Sequence, residues 1–283
     1  MPVKSQSAME YLMTYGWAIL IIAIVLVALF QLGLFGNSNL EPRVPAGACH
    51  VYRSVQGASN VGECSGVWPQ FVAQFNGQSS VAELNAQKLT SATFVGWIDL
   101  KSFSSGLPIF IFDGVYLFVN SGSIFSDSCG LYYVSTGDQV PCNQAIAEVG
   151  IETNEWVMVA YTLDSSGTNT AYSFVNGVEK SNSASFGQPV YIPATQMQIG
   201  DGDGSEWFNG LMSNIQIYNT SLSSNELNAL YLEGIAGAPI DPNNIIDWWP
   251  LNGNMQDYSG NGNEATATAV TYTGAWTSWY TQP

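Results

Sequence analysis

Cations are scarce in this chain: six Lys plus Arg stand against 22 Asp plus Glu in 283 residues, and the only histidine is His50. The few basic residues do not cluster, which argues against a phosphate backbone as ligand and so against nucleic acid. A single histidine and the absence of a nucleophile-elbow sequence leave no basis for a nucleophilic triad, and His50 reads as a surface loop residue. The four cysteines, Cys49, Cys64, Cys129 and Cys142, lack the Cys-x-x-Cys spacing of a zinc or redox site. Helix signals are nearly missing beyond residue 36. What the chain has in quantity is acid, aromatic residues, Asn-Gly and Asn-x-Gly turns, and one long apolar run close to its start.

That run follows a short leader with Lys4, then Gln6-Ser7-Ala8-Met9-Glu10, and carries no charge from residue 11 to residue 40. A carboxylate at the lip of a membrane-length helix costs about 3 kcal/mol unless partnered, so Glu10 calls for a counter-charge. Residues 11–35 exceed the apolar core of a secretory signal, about 7 to 15 residues, and satisfy the roughly 20 needed to span a bilayer. In lipid a helix is the single-segment solution, and about 30 residues at about 1.5 Å each reach about 45 Å.

The leader and the Gln6, Glu10, Tyr11 and Leu12 positions resemble the class III signal peptide of archaeal type IV pilins and archaellins. The resemblance implies cleavage between Ser5 and Gln6 by a prepilin peptidase, leaving residues 6–35 as an assembly and transmembrane helix. It further implies that the new amine at Gln6 neutralises Glu10 of a neighbouring subunit in a filament. Identical or related pilin subunits, and the membrane before assembly, are then the partners of this helix. The destination is the cell surface or an extracellular filament with a membrane-anchored precursor.

In such an exported chain an even cysteine count favours disulfides, and four cysteines allow three connectivities. The expectation is local pairing, Cys49 with Cys64 and Cys129 with Cys142. Residues 36–65 read as a linker, stiffened by Pro42 and Pro45, leading into a disulfide-closed loop. Beyond it, the runs 68–75, 92–100, 107–119, 155–163, 171–175 and 212–218 are rich in aromatic and β-branched residues. Gly, Asn, Asp and Ser separate them, the pattern of a sandwich of many short antiparallel strands. Only residues 223–232 look helical, with a Ser cap and Glu226 at capping-box spacing.

Phe75-Asn76-Gly77, Phe94-Val95-Gly96-Trp97, the segments 156–161 and 172–177, Phe208-Asn209-Gly210, and residues 215–219 followed by Leu222 to Tyr231 resemble, in that order, a laminin-G-like or concanavalin A-like jelly roll. The expected fold is therefore mainly β: a long N-terminal apolar helix followed by a two-sheet antiparallel jelly-roll sandwich over residues 66–283. Residues 247–263 look like the segment that normally opens such a domain. A circular permutation is expected, with residues 245–283 pairing back beside residues 68–75 to complete the sandwich.

The fold implies carbohydrate as a ligand. Trp207, Trp248 and Trp249 are the candidate stacking platforms, with Trp276 and Trp279 also available, whereas Trp97 and Trp156 are assigned to the core. Asp257, Ser259, Asn261 and Asn263 place oxygens at alternate positions of a glycine-rich loop, a candidate Ca²⁺ site, with residues 200–204 a second acidic loop; the competing account of both is a polar turn. Asn219-Thr220-Ser221 is an N-glycosylation triplet. Glucanases of this fold carry a Glu-x-Asp-x-x-Glu strand motif for paired carboxylate chemistry, and the sequence has none. Glu148, Glu152 and Glu155 read as solvated acids, and no enzyme activity is expected. The overall expectation is a pilin-like surface subunit with an adhesive head, and the alternative is a membrane-anchored surface lectin that never polymerises.

Overall fold

A computed structural model describes residues 20–23, 49–52, 61–64, 69–85, 87–102, 107–112, 115–120, 123–127, 130–141, 149–180, 184–194, 196–201, 204, 206–277, 280 and 283. The chain divides into two units, Met1–Pro42 and Arg43–Pro283. In the first, residues 20–23 are helical with Leu20, Ile21 and Ile22 exposed. Among the described residues no helix is long and apolar enough to cross a membrane. Ser5, Gln6, Glu10, Cys129 and Cys142 lie outside the described residues.

Among its described residues the second unit has twenty strands and one helix. In chain order the strands are β1 Cys49–Tyr52, β2 Val61–Cys64, β3 Val72–Asn76, β4 Val81–Asn85, β5 Ser91–Leu100, β6 Leu107–Phe112, β7 Val115–Asn120, β8 Ser123–Asp127, β9 Tyr132–Tyr133 and β10 Val149–Gly150. Then come β11 Trp156–Asp164, β12 Thr170–Val175, β13 Val178–Glu179, β14 Ala184–Ser185, β15 Val190–Tyr191, β16 Gln196–Ile199 and β17 Asn209–Tyr218. The helix α1, Ser224–Glu233, precedes β18 Ile245–Trp249, β19 Thr266–Thr268 and β20 Thr271–Thr273.

Two antiparallel sheets form a sandwich. One runs β10-β8-β7-β6-β16-β4-β19, and the other β13-β12-β11-β5-β17-β3-β20, with β14 on β12 and β18 on β17. Alternation along the strands explains the packing. Ala92, Phe94, Ile98 and Leu100 of β5 and Val157, Val159, Tyr161 and Leu163 of β11 point into the core between the sheets, where they meet Leu84, Ile109, Leu117, Met197 and Ile199 from the opposite sheet. The intervening residues, Val95 and Trp97 of β5 with Trp156, Met158 and Ala160 of β11, face the other way. There Leu227 and Leu230 of α1, Ile235 and Trp276 cover them in a second apolar layer. Trp97 and Trp156 are thus buried, as their sequence context predicts.

The sequence run 107–119 is two strands: β6 and β7 pair antiparallel with Phe112 opposite Val115. The intervening Asp113-Gly114 is the strongest short hairpin signal, and it outweighs the continuity of the apolar run. Asn176-Gly177 turns β12 into β13 with both residues at positive φ, 52° and 72°. The strand pairing beside β3 that the sequence analysis expects of residues 245–283 is made by β20, with Tyr272 opposite Ala73, while β19 extends the other sheet at β4 and β18 joins β17. The hairpin β1-β2 sets Cys49 directly opposite Cys64 in its backbone register. Such opposed positions lie about 4.5 to 5.5 Å apart at Cα, within disulfide reach.

Candidate carbohydrate-binding groove

The polar end of the sheet's outer face is open. Successive outward residues across three neighbouring strands form two rows: Thr93, Thr162 and Tyr172 in one, and Ser91, Asp164 and Thr170 in the other. The segment 219–224, leaving β17 for α1, walls one side. Ser91, Thr162, Asp164 and Tyr172 of these rows line a groove of about 650 Å³ with that segment, Phe174 and Glu179. Thr162 and Phe174 are buried in its floor, whereas Tyr172 is half-buried.

The wall is pinned by one hydroxyl. Buried Thr93 donates through Oγ1 to the Thr220 carbonyl at 2.8 Å and accepts from the Leu222 N–H at 2.8 Å. The helix then starts at Ser223, whose N–H donates to Glu226 Oε2 at 2.7 Å in the capping box the sequence indicates. Ser224 Oγ donates to Glu179 Oε2 at 3.2 Å and links the helix start to β13.

On the opposite side the turn 164–168 is organised by Asp164. Its Oδ1 accepts the N–H groups of Ser166 and Gly167 at 3.1 and 2.9 Å, and its Oδ2 accepts that of Thr168 at 3.0 Å. A Cβ at Gly167 would meet Asp164 Oδ2 at 2.7 Å and push aside the carboxylate that organises the turn. Burial alone would raise the Asp164 carboxyl. The N–H groups of Thr168 and Gly167 and the hydroxyls of Ser166 and Thr168 outweigh it and hold the group below the usual carboxylate range. Asp164 therefore stays an anion committed to its own turn.

Among the described residues the groove is lined by hydroxyls, the Asn219 amide, the Tyr172 and Phe174 rings, Leu222 and two acids, and by no cation. Its two acids, Asp164 and Glu179, disfavour an anionic ligand, and the hydroxyls suit a neutral polyol placed against the Tyr172 ring.

Of the candidates that the sequence singles out, only Asn219 belongs to this site, exposed at the wall. Trp248 and Trp249 are corrected: both are 0% exposed, and neither offers a face to a ligand. Trp248 Nε1 donates to Asn214 Oδ1 at 2.8 Å and Trp249 Nε1 to the Asn263 carbonyl at 3.0 Å, which satisfies each indole within the protein. Trp276 is likewise buried, Trp207 is half-buried away from the groove, and Trp279 lies outside the described residues.

The loop of Asp257, Ser259, Asn261 and Asn263 is a latch in this structure. Asp257 Oδ1 accepts the N–H groups of Trp248 and Ser259 at 3.0 and 2.8 Å; Oδ2 accepts the Ser259 hydroxyl and the Asn263 N–H at 2.8 and 2.9 Å. Asn261 Nδ2 donates to the Ile246 carbonyl at 2.6 Å, and Asn263 Nδ2 to Asp247 Oδ1 at 2.7 Å. Donors rather than oxygens surround the carboxylate, so this arrangement does not fit a Ca²⁺ ion. In the second loop Asp201 Oδ1 accepts the Gly204 N–H at 2.8 Å, a turn contact of the same kind. Among the described residues no three His, Cys, Asp or Glu side chains converge on a common point.

Apart from Asn219, the groove is made of residues that carry no recognisable binding motif in the sequence. Its trace in the sequence is Ser91, Thr93, Thr162, Asp164 and Thr170, polar residues alternating with core positions at one end of strands that continue outward with Val95, Ala160 and Phe174.

Residues 76–228 match the Laminin_G_3 family, described as the concanavalin A-like lectin/glucanases superfamily. A candidate carbohydrate-binding protein from Bacteroides ovatus superposes with a TM-score of 0.57 at 17% identity, over 78% of this chain and 65% of that one. The chain thus spans less than two thirds of that protein's length. A heptameric SAP-like pentraxin of Limulus polyphemus gives a TM-score of 0.45 at 14% identity over 71% of this chain and 94% of its own. The CBM40 module of a Ruminococcus gnavus IT-sialidase, bound to α2,3-sialyllactose, gives 0.43 at 14% identity over 58% and 99%. No curated protein matches the chain.

Proposed function

The chain belongs to the Laminin_G_3 family of concanavalin A-like folds, and from that premise we propose that its sandwich is a carbohydrate-binding head displayed at the cell surface by a type IV pilin-like N-terminal segment. The observation that carries the binding half is the groove: a hydroxyl-lined floor, a half-buried Tyr172 ring and a fixed wall. Its lining acids and lack of cations select a neutral glycan over a sialylated or sulfated one. The role is binding, not catalysis, because Asp164 is engaged by its own turn and Glu179 by Ser224.

The display half rests on Gln6 and Glu10 and the uncharged run that follows. Cleavage between Ser5 and Gln6 frees an amine to pair with Glu10 of the next subunit, so that assembly itself removes the cost of an unpaired acid. Disulfides Cys49–Cys64 and Cys129–Cys142 belong to the same proposal, the first supported by the β1-β2 register. So does a circularly permuted sandwich, supported by β20 beside β3.

A glycan array probed with the full-length protein tests the first half. Binding confined to neutral glycans is expected, and no binding, or binding only to anionic ones, overturns it. Mass spectrometry should find a mature N-terminus at Gln6, and negative-stain microscopy should find filaments that Glu10→Gln weakens. An intact leader sinks the pilin reading, while a Gln6 terminus without filaments leaves a membrane-anchored lectin.

A further inference from the structure

Asn219-Thr220-Ser221 is the one Asn-x-Ser/Thr triplet in the whole sequence, and all three residues line the groove. Asn219 is exposed at its lip. The main chain beneath it is fixed on both sides: the Asn219 N–H donates to the Asn244 carbonyl at 2.9 Å, and Thr93 holds Thr220 and Leu222 from the sheet. A sugar attached to the Asn219 amide therefore leaves from a rigid base, directly over a cavity of about 650 Å³ lined by hydroxyls and the Tyr172 ring. We propose that Asn219 carries an N-linked glycan that seats in this groove in cis and competes there with external carbohydrate, so that glycosylation sets whether the head is open to ligand.

The inference rests on the groove being a carbohydrate site. A tether of a few bonds gives the attached sugar an effective concentration on the order of mM, enough to compete in a site of ordinary weak affinity. If the sugar is seated about nine-tenths of the time, the apparent affinity for a free glycan falls about tenfold. The groove holds only part of a glycan, so the remainder projects outward. The two acidic side chains of the lining, Asp164 and Glu179, favour a neutral proximal sugar, the same preference expected of the external ligand.

Full-length protein from a host that glycosylates such triplets is compared with unglycosylated wild-type protein, and Asn219→Gln made in the glycosylating host serves only to assign the modified residue by mass. Intact mass reads the modification, a neutral-glycan array reads affinity, and hydroxyl-radical footprinting reads exposure of Tyr172. The expected result is a glycan on wild type alone, about tenfold weaker array binding by that form, and reduced oxidation of its Tyr172. The two wild-type preparations share every side chain of the groove, so a difference between them belongs to the glycan. Unmodified Asn219 in the glycosylating host, or Tyr172 oxidised equally in all forms, overturns the proposal. If no form binds any glycan, the external-ligand reading falls, while Tyr172 protection still shows a seated cis glycan.

Discussion

The two ends of the same sheet face have opposite fates. At one end Trp97, Trp156 and Leu211 lie beneath α1 and the C-terminal Trp276; at the other Ser91, Thr162 and Asp164 line an open groove. A single strand, β5, makes the transition, its outward residues running Ser91, Thr93, Val95, Trp97, Asp99. Each end also carries a carboxylate, and these differ in the same sense. Buried Asp99 pairs with Lys101 Nζ at 2.7 Å, and its other oxygen has no partner. Burial raises its carboxyl above the usual range, with the Lys101 bond and charge opposing. Asp164 is satisfied by its own turn and held low. An apolar cover buries whatever lies beneath it, acid included, whereas an open face keeps an acid only where local donors hold it.

Removing the cover should cost most. Trp248→Ala, in the layer beneath α1, is expected to lower unfolding free energy by about 3 to 5 kcal/mol in urea melts. At temperatures where it stays folded, glycan affinity should be unchanged; a selective loss of binding would mean the two ends are not independent. Lys101→Met leaves Asp99 buried without its cation and should cost up to about 3 kcal/mol near neutral pH.

The pH dependence separates the two acids. A raised carboxyl stabilises the fold below its unfolded value and loses that contribution as pH rises through the folded value, so the Lys101→Met deficit should be larger at about pH 7 than at about pH 4. Asp164 has the opposite sign: its contribution exists above the unfolded value and is lost as pH falls through the folded one. Asp164→Asn should flatten the acid limb of the stability curve, and an unaltered limb would remove Asp164 from the account.

Thr93→Val keeps the shape but strips both bonds to the wall, for an expected loss of about 1 to 2 kcal/mol with weaker glycan binding. Tyr172→Ala should barely alter the melting temperature yet weaken neutral-glycan binding about tenfold, or about 1.4 kcal/mol. The smallest effect expected is that of a chelator. If Asp257 is a latch, removing divalent ions leaves both melting temperature and binding unchanged, and a clear drop in either would restore the cation.

Local features were legible because neighbours in sequence make them: the Asn176-Gly177 turn and the Ser223/Glu226 capping box needed only spacing. The groove was not, since it joins residues 90–93, 162–179 and 219–224. The tryptophans were misassigned for a related reason. A sandwich residue that points outward is exposed only if nothing covers that face, and here α1 and Trp276 do. Asp257 shows a third limit. Alternating oxygens around glycines describe a cation cage and a self-bonded turn equally well, and only the direction of the N–H groups separates them.

Because β20 lies beside β3, the first strand of the sandwich proper has neighbours along both edges, β17 and β20. Tension arriving along the chain at residue 71 reaches that strand before any other of the two large sheets. An edge strand would peel away one hydrogen bond after another, but a strand gripped on both sides must break two ladders together. A head tugged by what it holds would thus resist unravelling at the point where the pull enters.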